Sequence, residues 1–171
     1  MTDPNVYRNT PPGPRPVPEG TSVSTPYIWA IVFAPLLVLL PLLLWDVEGY
    51  MTEVIDSSMS TTAMPTYLFD PGYLALQGVS LVVWLGSVLL AFFDWRELKR
   101  RDVDRPFHWA WTFLGGLVYV IGRSIIVHRR SGTGFAPMWV AILVTVLGTI
   151  VSMWVTVGAM AAAFTNITFG P

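Results

Sequence analysis

From Tyr27 onward, apolar residues fall into four long runs separated by an acidic loop (46–70), a dense charge cluster (94–105) and a short turn (128–135). A proline opens each run: Thr25-Pro26, Asp70-Pro71, Arg105-Pro106 and Ala136-Pro137. Proline suits the first helical position, where its missing N–H would have no partner in any case. The openings therefore predict four helix starts, and runs of this length predict helices that cross a bilayer. The expected fold is an all-α membrane protein, four transmembrane helices in a bundle, with spans at about 27–45, 72–93, 107–127 and 138–164. Residues 1–25, rich in proline with Gly, Ser and Thr between, read as a disordered tail on the cytoplasmic side. Pro35 and Pro41 lie inside the first run and predict a bend there. The last run, 27 residues and about 40 Å as a helix, outreaches a hydrocarbon core of about 30 Å, so it must tilt or emerge.

Within the runs, polar and small residues keep to single faces. Tyr73, Gln77, Ser80, Trp84, Ser87, Ala91 and Asp94 recur at steps of four and three. So do His108, Thr112, Gly116, Tyr119 and Arg123, and so do Ala141, Thr145, Thr149, Ser152, Thr156, Ala159 and Ala163. Such spacing lines up one face of a helix. Small and hydroxyl residues let membrane helices approach closely and hydrogen-bond. The seams are therefore expected where helices meet, or else along a wet path.

Composition supports a bilayer setting. Of 171 residues, 53% are hydrophobic and only 12% are charged, against about 25% charged in ordinary soluble domains. Mean hydropathy is +0.56. A net charge of −1 offers no basic field for nucleic acid. Without cysteine there is no disulfide, thiolate nucleophile or sulfur-ligated cluster. The first 25 residues lack the pattern of a cleavable signal, so the first span reads as a retained targeting segment.

Lys and Arg favour the cytoplasmic side. With the N-terminus inside, four spans leave Arg8, Arg15, Arg96, Lys99, Arg100, Arg101 and Arg105 inside and Arg123, Arg129 and Arg130 outside. That balance predicts both termini in the cytoplasm. Were 107–127 to enter and leave by one face, all ten basic residues would be cytoplasmic and the C-terminus outside. Re-entry at depth needs protein to cover its backbone, and a four-helix chain offers little, so four spans are expected.

The candidate functional or helix-interface residues are Gln77, Ser87, Asp94, His108, Tyr119, Arg123, Thr149, Ser152 and Thr156. A charge at membrane depth costs about 2.5–3.5 kcal/mol on insertion scales, so Arg123 must snorkel outward or pair, with Asp70 or with Gln77 and Tyr73. Asp94 and His108 are expected together at the inner end of their spans, a pairing that would raise the histidine pKa. His108 and His128 sit at opposite ends of one run, which argues against a shared metal. Gly115-Gly116 and Gly132-Thr133-Gly134 lack the Lys-Ser/Thr of a phosphate loop. No catalytic motif, cofactor or metal is expected, and the chain does not read as an enzyme.

Phe93-Asp94-Trp95-Arg96-Glu97-Leu98, Arg105-Pro106-Phe107-His108-Trp109-Ala110-Trp111 and Val118-Tyr119-Val120-Ile121-Gly122-Arg123-Ser124 together resemble small uncharacterised integral membrane proteins of actinobacteria. The resemblance runs from about Thr21 to the end. It implies a multi-pass protein of the plasma membrane and brings no activity. The expected role is a non-enzymatic, partner-binding or structural subunit of a membrane complex. Its partners are the lipid bilayer and either itself or another membrane protein. The alternative is an oligomeric conduit or transporter for a small solute or ion, lined by the seams of spans two to four.

Overall fold

Residues 24–59, 66–101, 103 and 106–169 are described by the structure, a computed structural model. The proline-rich tail, up to residue 23, lies outside them. Three of the four proline openings start helices. Thr25 caps α1 (Pro26–Phe33), its Oγ1 accepting from the Ile28 N–H at 3.4 Å. Asp70 caps α4 (Pro71–Arg100), accepting from the Tyr73 N–H at 2.7 Å. Pro137 sits in the first turn of α6 (Ala136–Phe169). Each uses a side-chain acceptor, a proline without a donor, or both at a helix start, where N–H groups have no partner.

Pro35 splits the first run as expected. α1 stops at Phe33, α2 (Leu36–Leu44) resumes after it, and tighter bonds from the Leu37 and Val38 N–H groups to the Ala34 and Pro35 carbonyls carry the bend. The segment Pro26–Leu44, α4 and α6 are the three stretches among the described residues long and apolar enough to cross a membrane. At 30 and 34 residues, α4 and α6 reach about 45 and 51 Å, beyond the hydrocarbon at both ends. α4 runs past the expected end at 93 into the charged cluster, where Lys99 and Arg100 suit the negative end of its dipole.

The expected crossing over 107–127 is not formed. Residues 106–108 are irregular, Trp109–Leu114 make a 3₁₀ segment, Gly115 turns the chain at φ +134°, and α5 (Gly116–Ser131) follows. Only glycine adopts that φ without strain. The neighbours of each piece trace a hairpin. Phe113 at the tip meets Trp84 in mid-α4, with ring centroids 5.7 Å apart, and Gly116 faces Ile31 in mid-bundle. Farther along α5, Val127 packs with Leu98 and Val103 at the end of α4 that the chain had just left. The two arms touch at Gly122, where a β-carbon would sit 2.4 Å from the Phe107 ring. Residues 107–127 therefore enter the bundle and return at one end. The cover that such a path needs is present, because α1, α4 and α6 surround it.

α6 starts near the returned end and runs to the other. There it packs along α3 (Val47–Met59), a helix inside the stretch expected to be loop, and Asn166 Nδ2 donates to Glu48 Oε1 at 2.7 Å. The start of α1 and the end of α6 thus lie at opposite ends of the bundle, which removes the basis for placing both termini on one side. The core gathers Ile28, Ile31, Val32, Ala91, Tyr119, Val120 and Ala141 around the hairpin. Elsewhere large apolar side chains such as Leu81, Leu89, Leu143 and Leu147 face outward, and almost none of the apolar stretch of α6 is covered by protein.

Candidate functional site

Three side chains from two other segments close on the Asp94 carboxylate. Asp94 comes from the last third of α4, Tyr119 and Arg123 from successive turns of α5, and Thr25 from the cap of α1. All four are at most 1% exposed. Tyr119 OH donates to Asp94 Oδ2 at 2.8 Å, with the Ala91 carbonyl 3.3 Å away. Arg123 Nε donates to the same oxygen at 3.1 Å and Nη2 to Oδ1 at 3.4 Å. Thr25 Oγ1 also donates to Oδ1. Both carboxylate oxygens are therefore saturated, and the arginine charge is neutralised where it is buried. An ion pair held this way is costly to split, since either charge left alone pays its full desolvation.

The sequence put Arg123 at the opposite end from Asp94, opposite Asp70, Gln77 and Tyr73. The hairpin reverses that: Arg123 meets Asp94, while Gln77 bonds Tyr73 within α4 and Asp70 serves as the α4 cap. The expected Asp94–His108 pair is absent as well. His108 is exposed; its Nδ1 accepts from the Ala110 N–H at 3.2 Å and caps the 3₁₀ segment, its ring between those of Trp95 and Trp109. Thr25, read from the sequence only as part of a helix start, is the fourth member. Its signal was depth: it lies at the same end of its span as Asp94.

The remaining candidates divide. Ser87 is buried, its hydroxyl donating to the Val83 carbonyl at 2.8 Å. Ser152 and Thr156 are half-covered, and Thr149 is exposed with its hydroxyl on the Thr145 carbonyl at 2.8 Å. Gln77 is exposed. The α6 seam is thus only partly closed. α4 and α6 scarcely touch: α5 lies between them in one half of the bundle, and α2 and α3 pack against α6 in the other. A cleft of about 200 Å³ remains above the hairpin tip, lined from α1, α2, α4, α5 and α6. Among the described residues no three of His, Asp and Glu converge as a metal site would require.

These features define an all-helical protein with three helices able to cross a membrane and a broken hairpin pinned between them by a buried ion pair. Comparison with known protein families, with curated proteins and with solved structures finds no match.

Proposed function

We propose that the chain is an integral protein of the plasma membrane with three crossings and one re-entrant hairpin, acting without catalysis as a binding or structural subunit. The N-terminal side is cytoplasmic in this reading. The described basic residues other than Arg123, namely Arg96, Lys99, Arg100, Arg101 and Arg129, then meet the cytoplasmic leaflet, as the distribution of basic residues favours. The end of α6 lies on the far side. The observation that carries the subunit role is the incomplete cover of the small and hydroxyl face of α6, where Thr149 is exposed and Thr145, Ser152, Thr156 and Ala159 are only half-covered. Such faces serve helix association in membranes.

The conduit reading draws less support. Asp94, Tyr119, Arg123 and Thr25 are paired with one another and buried, and the hydroxyls of Ser80 and Ser87 donate back to their own helix. A path along the seam would meet saturated groups and packed aliphatic side chains. Native mass analysis from mild detergent tests the subunit role, with a defined oligomer or a stoichiometric companion expected. A strict monomer would overturn it. Ion flux in proteoliposomes that disappears in Asp94→Asn would restore the conduit.

A further inference from the structure

We propose that Trp95, Lys99 and His108 form a seat for the phosphate of one membrane phospholipid, taken from the leaflet at the basic end of the bundle. This rests on the membrane reading given above. The donors come first. Lys99 lies one turn beyond Trp95 on α4, and its ammonium sits over the indole, 3.8 Å from the ring centroid. His108 reaches the same indole from the hairpin, with ring centroids 5.5 Å apart, and stacks on Trp109 at 5.7 Å. Its Nδ1 accepts from the Ala110 N–H, so the ring proton is on Nε2, at the far edge of the ring. Both side chains are exposed, yet each is held in place by its neighbours. Among the described residues no carboxylate takes their protons: Glu97 faces Arg100 and Arg101, and Asp94 is enclosed with Arg123. Ordered donors with no acceptor in the chain suit an anion from outside it.

What continues below the donors makes that anion the head of a lipid. From Trp95 the rings of Phe92, Trp109, Phe113 and Trp84 follow one another, with centroids between 5.7 and 6.2 Å apart at every step. They mark the line where the 3₁₀ segment packs on α4, and Phe113 and Trp84 at its lower end are exposed. From Trp95 to Trp84 the line descends about 16 Å along the α4 axis, and one leaflet contributes roughly 15 Å of hydrocarbon. Lys99 lies about 9 Å beyond Phe93, where the apolar run of α4 ends, and so among the headgroups. Indole rings favour that boundary, because it serves both an apolar body and a polar edge. A free phosphate or an acidic peptide would use the donors and leave the rings bare. A phospholipid uses both.

The test is native mass analysis of the full-length protein in mild detergent, titrated with phosphatidylglycerol. One retained lipid per chain is expected at a near-equimolar ratio. Lys99→Gln and His108→Asn should each lower its occupancy about fivefold, the asparagine keeping an acceptor for the Ala110 N–H. Lys99→Arg should restore it. Arg96→Gln and Arg129→Gln, which remove charge at the same end but outside the seat, should leave it unchanged. Inorganic phosphate or glycerophosphoglycerol in large excess should not displace the lipid. Displacement by either would overturn the inference in favour of a soluble anion. Equal losses in Lys99→Gln, Arg96→Gln and Arg129→Gln would overturn it in favour of diffuse attraction to the leaflet. So would a parent chain, folded by circular dichroism, that retains no lipid. None of these outcomes touches the membrane reading, which falls instead if the chain stays soluble without detergent.

Discussion

At the scale of single residues, the Asp94 carboxylate has the largest leverage on stability. Replacing Arg123 by Leu leaves it buried beside neutral donors, and a loss of about 3–5 kcal/mol is expected. The double variant Asp94→Leu with Arg123→Leu removes both charges and should recover most of that loss. Denaturant unfolding in mixed micelles compares the two. Tyr119→Phe deletes one charge-assisted bond and should cost about 1.5–3 kcal/mol, and Gly115→Ala should cost about 1–3 kcal/mol through its backbone angle. Tyr119 and Arg123 were legible in the sequence as neighbours one turn apart on one face. Their partner was not, because spacing fixes the face of a helix but leaves open which end of the bundle the helix approaches. The same blindness left Thr25 as a mere cap.

Among the elements, the three long helices were readable from apolar length and from Thr25-Pro26, Asp70-Pro71 and Ala136-Pro137. The hairpin was not, since its length and largely apolar composition resemble a crossing, with Gly115-Gly116 and Arg123 as its main interruptions. The distribution of basic residues had left a single-face path open, because that path would unite Arg129 and Arg130 with the other basic residues. α3 was missed for a different reason. Val47, Tyr50, Met51, Val54 and Ile55 keep a helical period, but among Glu48, Glu53 and Asp56 they read as an acidic loop. A topology experiment follows from the hairpin. An impermeant maleimide should reach Lys99→Cys and Thr133→Cys from one face of sealed vesicles and Thr168→Cys from the other, with no native cysteine to interfere. Thr133→Cys reacting from the Thr168→Cys face would mean that 107–127 crosses after all.

For the molecule as a whole, charge and grease are distributed along one axis. Arg96, Lys99, Arg100, Arg101 and Arg129 gather at one end, where the Lys99 ammonium lies 3.8 Å from the Trp95 ring, while Glu48, Glu53 and Asp56 mark the other. Basic groups beside an anionic leaflet gain about 1 kcal/mol each before screening. Thermal unfolding should therefore come at a higher temperature in nanodiscs containing phosphatidylglycerol than in pure phosphatidylcholine, and the difference should shrink as salt is added. An unchanged midpoint would show that Glu97 and its acidic neighbours cancel the attraction.

The contact between Asp94 and Arg123 also bears on how the chain is made. Each of the two would resist entering oil by itself, and 29 residues of synthesis separate them. The α4 carboxylate must wait at the lipid surface until α5 leaves the ribosome and supplies the counter-charge. The hairpin is then expected to enter the bilayer only once the two charges have paired, and a nascent chain halted before Arg123 should be readily destroyed by membrane proteases.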